Sequence, residues 1–130
     1  MVVFQLITAK KEGNGMRYLL LIYQDEAARA KWSQEEVGAE YEAYNTFGAE
    51  AEKRGLQSGL ALLASNTSTT VKVRNGKTLT TDGPFAETKE QLGGYYVLNC
   101  KDLDEAIEVA AKIPGAKYGS IEIRPVMEFE

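Results

Sequence analysis

The chain has 130 residues, of which 44% are hydrophobic and 26% charged, and its formal net charge is −4. These values describe one ordinary soluble domain, large enough to bury roughly two-thirds of its unfolded surface without disulfides or metals. The sequence has no histidine and a single cysteine, Cys100, so the usual transition-metal ligands and the histidine of nucleophilic triads are absent. Only a carboxylate site for a hard cation remains open, and we predict no metal site and no cofactor.

Charge and hydrophobic runs also bear on partners and location. The sequence has no basic cluster of the kind that binds a phosphate backbone, so we expect no direct contact with nucleic acid. The longest apolar run, Tyr18 to Tyr23, is too short to span a bilayer, and the start of the chain lacks a signal-peptide pattern. One cysteine cannot form an internal bridge, which fits a reducing compartment. We predict a cytoplasmic protein with no membrane contact.

The first 15 residues differ from the rest of the chain. A short apolar piece leads into Gly13-Asn14-Gly15, and the second methionine, Met16, begins the domain proper. We interpret residues 1–15 as an upstream-start extension or an expression remnant rather than an added edge strand, and residues 16–130 as the domain. The apolar run after Met16 predicts a strand in the middle of a sheet.

The first long helix has a clearly marked start. Ser33 can act as N-cap, Glu36 completes a capping box, and Trp32 with Val37 occupies the positions of a hydrophobic staple. An apolar stripe then recurs at helical spacing and predicts the side that faces a sheet. Its members are Val37, Tyr41, Tyr44, Gly48 and Ala51. A glycine at position 55 predicts the end of the helix.

The rest of the chain is rich in β patterns. A strand is predicted over residues 58–64, and two alternating runs that flank Asn75-Gly76 predict a hairpin, because both residues of that turn need positive φ. Residues 93–100 predict another strand, and residues 120–126 predict the last one. Between them, the pattern from Asp102 to Ile113 predicts a helix. Its predicted buried stripe consists of Leu103, Ala106, Ile107, Ala110 and Ile113.

This order of elements predicts an α+β domain of the ferredoxin-like, split β-α-β type with an inserted hairpin. Both helices fall on one face of the sheet. The other face would expose Tyr23, Tyr95 and Val97 to water, which is unfavourable. We therefore predict a homodimer whose two sheets face each other as a dimeric α+β barrel.

Most candidate functional residues lie between Asp82 and Tyr96, where a polar loop containing Gly83-Pro84 leads into a strand. Asp82 is the candidate catalytic residue, as a general base at the end of a strand. The candidates for binding a small polar ligand are Glu87, Lys89, Tyr95 and Arg124, with Lys89 or Arg124 taking an anionic group. In the alternative interpretation, Asp82 closes the turn, Glu87 pairs with Lys89 or Arg124, and the loop locks the dimer. Phe85 is interpreted as an anchor of the loop in the core.

The run D-G-P-F-A-E-T-K-E from Asp82 to Glu90, the helix after Asp102 and the ending from Gly119 to Val126 resemble the DGPF family, within the wider YCII-related proteins of bacteria. The resemblance covers Met16 to about Met127 and implies a dimeric α+β barrel. It also implies a functional link to sigma factors of the extracytoplasmic-function type, beside which such proteins are often encoded. A histidine-aspartate pair has been proposed as the active site of YCII-like relatives. Asp82 matches the aspartate, but this chain has no histidine to match its partner.

Three functions are consistent with these observations. The first is a small cofactor-independent enzyme that uses Asp82 in the dimer cavity. The second is a module that binds a small molecule without turnover. The third is a regulatory interaction domain linked to a sigma factor, whose partner would be retained after Asp82→Ala.

Overall fold

The structure is a computed structural model, and it describes Gly13 and residues 15–129. Residues 1–12 and 14 lie outside this range, so the interpretation of residues 1–15 stays a prediction. The strands are β1 (Met16–Gln24), β2 (Leu56–Ala61), β3 (Thr69–Arg74), β4 (Lys77–Asp82), β5 (Gln91–Cys100) and β6 (Ser120–Pro125). The helices are α1 (Glu26–Arg29), α2 (Gln34–Glu52) and α3 (Leu103–Ala111), with short 3₁₀ turns at Ser65–Thr67 and Pro114–Lys117. The predicted α+β class is confirmed.

Four strands form one antiparallel sheet in the order β2-β5-β1-β6. The predicted position of β1 inside the sheet is confirmed, since Leu20 pairs with Tyr96 of β5 on one side and with Ile123 of β6 on the other. Within residues 15–129 the sheet is open and does not close into a barrel. The predicted barrel needs two subunits, so it stays a prediction.

The core lies between one face of this sheet and the helices. Alternate residues of β1, Tyr18, Leu20 and Ile22, are buried on that face, as strand geometry requires. They pack in one cluster with Phe47 of α2 and with a stripe on α3. The stripe consists of Ala106, Val109 and Ala110, and Ile113 extends it just beyond the end of the helix. The sequence pattern placed Leu103 and Ile107 there instead of Val109, and this was wrong, because both are half exposed on the outer side of α3.

The opposite face of the sheet is called the open face, and its residues are half-buried or exposed. Its residues come from β1, β5 and β6 and lie beside one another through the register of these strands. They are Leu19, Leu21, Tyr23, Tyr95, Val97, Glu122 and Arg124. One end of it is closed by an ion pair, in which buried Arg17 contacts Glu128 of the C-terminal segment at 2.8 Å. Apolar side chains in its centre and charges along β6 give this face a mixed character.

The predicted hairpin is confirmed. Strands β3 and β4 form a separate two-stranded sheet, and Asn75 and Gly76 at its turn have φ values of 52° and 75°. At the other end of the hairpin, the Gly83 amide donates a hydrogen bond to the Ser68 carbonyl at 2.7 Å. The loop after Gly83 stays on the surface, and Phe85 is 84% exposed. The interpretation of Phe85 as a core anchor was therefore wrong.

Candidate functional site

Asp82 is the last residue of β4 and is exposed. Its carboxylate makes no hydrogen bond or ion pair with any residue that the structure describes, while the turn beside it is closed by other groups. The Gly83 amide donates to Ser68, and the Thr70 hydroxyl donates to the Gly83 carbonyl at 2.8 Å. The turn therefore holds its shape without the Asp82 side chain.

The other predicted site residues lie in two separate places. Glu87 and Lys89 are exposed on the loop before β5. Tyr95 and Arg124 both lie on the open face, where Arg124 donates to Glu122 at 2.6 Å instead of pairing with Glu87. This hydrogen bond lowers the pKa of Glu122, while burial raises the pKa of the neighbouring Tyr23. The structure does not bring Asp82 together with Arg124.

A cleft lies on the helix side of the sheet, between α2 and the strands β2 and β5. We call it the glycine cleft, because Gly59, Gly93 and Gly94 contribute bare backbone to its floor. Its volume is about 430 Å³, within the size range of small-molecule sites. Among the predicted site residues, Tyr95 borders this cleft and Asp82 does not.

The floor of the cleft depends on Gly59. A Cβ atom at this position would lie 2.3 Å from Cδ1 of Tyr96, so the Tyr96 ring occupies the space directly above the strand. The ring also packs against Phe47, with 5.3 Å between the ring centroids. Burial raises the pKa of Tyr96, and its hydroxyl makes no hydrogen bond with the described residues. A phenol without a described hydrogen-bond partner thus lines the cleft.

Tyr44 supplies a second phenol from α2. Its oxygen accepts a hydrogen bond from the Gly115 amide at 3.2 Å, which joins α2 to the 3₁₀ turn after α3. Burial, reinforced by the negative charge of Glu40, raises the pKa of Tyr44 to about 12. The hydroxyl is neutral near pH 7, as in any tyrosine, and no described residue accepts its hydrogen.

An ion pair forms the wall at the start of α2. Arg29 donates two hydrogen bonds to Glu40, at 2.8 and 2.6 Å, and these bonds raise the pKa of the guanidinium. The same guanidinium lies 4.5 Å from the centroid of the Trp32 ring. Such bidentate pairs fix both side chains, so this wall is rigid and carries no net charge.

A capping box fixes the start of α2, the helix that carries Glu40. Ser33 accepts from the Glu36 amide at 3.1 Å, and Glu36 accepts from the Ser33 amide at 3.0 Å, as the sequence predicted. Glu26 of α1 accepts from the backbone and hydroxyl of Ser65, which ties the segment after β2 to the cleft rim. The site is thus built on fixed elements and is able to hold a small molecule through apolar contacts and two hydroxyl donors.

The sequence pattern did not identify the glycine cleft as a site. The sequence feature that could have indicated the cleft is the presence of Gly59 in β2 and of Gly93-Gly94 in β5. A glycine inside a strand often marks the close approach of another group. That signal does not name Tyr44 or Tyr96 as ligand-facing, because both also fit a buried stripe. Two further findings bear on the chemistry of the site. The described residues contain no group of three or more metal-ligating side chains, and no described helix is long and apolar enough to cross a membrane.

Comparisons with known proteins agree with the sequence motif. The family described as the YCII-related domain matches residues 16–130. An uncharacterized protein from Rhizobium meliloti (strain 1021) is 39% identical over 116 residues, which cover 85% of this chain and 92% of that protein. The name of that relative states no activity, so function has to be inferred from the residues.

Proposed function

The chain belongs to the YCII-related domain family, and we propose that it works as a small-molecule-binding protein whose ligand lies in the glycine cleft. The observation that carries this proposal is the pair of phenols, Tyr44 and Tyr96, that line the cleft together with its strand glycines and whose hydroxyl hydrogens no described residue accepts. Polar groups in a pocket normally find partners, and a bound ligand would supply them.

A thermal-shift screen of small metabolites tests this proposal. A compound at 100 times its Kd stabilises the folded state by about 2.7 kcal/mol, which raises Tm by about 10 °C for a domain of this size. Tyr96→Phe, which removes only the hydroxyl, should reduce the shift. Tyr118→Phe makes the same change outside the glycine cleft and serves as the matched control. A shift that Tyr96→Phe and Tyr44→Phe leave intact would place the ligand elsewhere.

The proposal also includes a homodimer. The strand order β2-β5-β1-β6, with β5 between the two strands that α2 connects, supports a ferredoxin-like fold. The apolar centre of the open face supports its pairing with a second copy, which would make the dimeric α+β barrel. Sedimentation should then give twice the chain mass. Val97→Arg on the open face should yield monomers, whereas Ile107→Arg on the exposed side of α3 should not.

An enzymatic role for Asp82 is the second candidate. The supporting observation is that Asp82 is not used to hold its turn, so its carboxylate is available for another group. In the proposed dimer, the hairpin of one subunit would carry Asp82 to the rim of the shared cavity, near Tyr95 and Arg124. Loss of turnover in Asp82→Asn with unchanged ligand affinity would support this role, and unchanged turnover would exclude it. The link to a sigma factor stays a prediction that rests on the resemblance.

A further inference from the structure

The charge balance of the glycine cleft indicates the chemical class of its ligand. We propose that the cleft takes an uncharged, planar molecule that presents a carbonyl-type hydrogen-bond acceptor to the hydroxyls of Tyr44 and Tyr96. This inference rests on the proposed function, because it concerns the same site.

The described groups that line the cleft offer a ligand no available charge. Both terminal nitrogens of Arg29 donate to Glu40, and both oxygens of Glu40 accept from Arg29. One face of the guanidinium is covered by Trp32. The remaining polar side chains of the lining are phenols and the amides of Gln24 and Asn45, which are neutral. A charged ligand would lose its hydration without gaining a counterion, which is unfavourable.

The hydrogen bond that Tyr44 already makes fixes the direction of the bond that it can still form. The oxygen of Tyr44 already accepts from the Gly115 amide, so its hydrogen remains to be donated. Tyr44 keeps that hydrogen at neutral pH, as any tyrosine does, and burial raises its pKa further, to about 12. Burial also raises the pKa of Tyr96, whose hydroxyl has no described partner. Two neutral donors in one cleft match a ligand with an acceptor oxygen.

Three glycines leave the strand side of the cleft with few side chains of its own. At Gly59 and Gly94 no side chain rises from the sheet on the cleft side, and added Cβ atoms would meet Tyr96 or the Leu60 carbonyl at 2.3 and 2.8 Å. The Tyr96 ring therefore lies close above the strand backbone at Gly59. A flat ligand can stack beside this ring, whereas a saturated ring of the same size is thicker and loses aromatic contact. The volume of about 430 Å³ suits one or two fused rings.

Four probes of similar size test the class by protein NMR, with amide signals followed in the full chain. Benzamide is neutral, planar and carries an acceptor; benzoate is its anionic counterpart, benzamidinium its cationic counterpart, and cyclohexanecarboxamide its non-planar one. We expect benzamide to move the signals of Asn45, Gly59 and Gly94 and to bind about tenfold tighter than either charged probe, which corresponds to about 1.4 kcal/mol. The non-planar amide should also bind more weakly than benzamide.

Variants connect this preference to the two hydroxyls. The double variant Tyr44→Phe with Tyr96→Phe should lose about tenfold in benzamide affinity, as expected for hydrogen bonds to a neutral acceptor. Tyr118→Phe should keep the wild-type affinity. If the double variant does not fold, Tyr96→Phe alone provides the test, since its hydroxyl has no described partner to lose.

The outcomes separate the two proposals. Equal affinity for benzamide, benzoate and benzamidinium, or equal affinity for the planar and non-planar amides, would overturn the ligand class and leave the proposed binding function standing. Signals that no probe moves at millimolar concentration, or that move only outside the glycine cleft, would overturn both. Tight benzamide binding that the tyrosine variants leave unchanged would overturn the assignment of the donors.

Discussion

Gly59→Ala should destabilise the protein by displacing Tyr96. The added Cβ would lie 2.3 Å from Cδ1 of Tyr96 and 2.7 Å from the Tyr95 carbonyl oxygen, distances at which one partner must move. The carbonyl belongs to a paired strand and is held by the sheet, whereas the Tyr96 ring can rotate away. We therefore expect the ring to leave its position against Phe47 and the floor of the cleft to be lost.

Three terms set the size of the effect. Overpacking costs about 1 to 3 kcal/mol, and the loss of the aromatic contact with Phe47, whose centroid lies 5.3 Å away, adds about 1 kcal/mol. Replacing glycine by alanine restricts the unfolded chain, which offsets about 0.4 to 1 kcal/mol. The free energy of unfolding should thus fall by about 2 kcal/mol, and Tm by about 8 °C.

Urea denaturation of the wild type and variants measures this change. Gly38→Ala is the matched control, because Gly38 lies exposed inside α2 with no atom within 4 Å of an added Cβ, and it should gain about 1 kcal/mol from helix propensity. In a Tyr96→Ala background, Gly59→Ala should cost at least about 1 kcal/mol less than in the wild type. Equal costs in the two backgrounds, or no cost at all, would refute the packing of Tyr96 over Gly59.

The remaining predictions concern charged and titrating groups. Glu40→Gln should weaken the hold on Arg29 and lower stability by about 1 kcal/mol, with a change in the emission of Trp32, the sequence's single tryptophan; unchanged emission and stability would contradict this. Because the folded-state pKa of Tyr44 is raised to about 12, the folded protein keeps a proton that the unfolded chain releases above pH of about 10, so stability should fall as pH rises through this window. Tyr44→Phe should reduce that slope in urea titrations across the window, and an unchanged slope would assign it to other groups. Asp82→Asn should leave the free energy of unfolding unchanged within about 0.5 kcal/mol, and a larger loss would show that the turn needs this carboxylate.

The elements with local signals could be predicted from the sequence. The Asn75-Gly76 turn requires positive φ at both residues, and few other structures satisfy that demand. The Ser33 capping box joins residues only three apart, so its geometry depends on little else. Strand ends were less accurate, since β2 runs over Leu56–Ala61 where residues 58–64 were predicted. The end of a strand depends on where its partner ends, which is a tertiary property.

The candidate site was harder to predict for the same reason. Asp82 was predicted as a site residue because it belongs to a specific motif. The structure places it at the exposed end of the hairpin, in a different sheet from the open face. Tyr96 and Gly59 are 37 positions apart in the sequence and become partners only through the pairing of β2 with β5. The pattern of one sequence does not supply that pairing.

The apolar stripe predicted on α2 is only partly buried in the structure. The pattern predicted Val37 and Tyr41 as sheet-facing, yet they are 47% and 68% exposed, whereas Phe47 and Ala51 further along the helix are buried. The first half of α2 borders the glycine cleft, while the second half packs in the core cluster. We interpret the exposed apolar stripe as part of the proposed ligand site. A ligand bound in the cleft should bury the side chains of Val37 and Tyr41. NMR measurements of side-chain contact with solvent should then show reduced exposure of both residues when the ligand binds, and unchanged exposure would contradict this prediction.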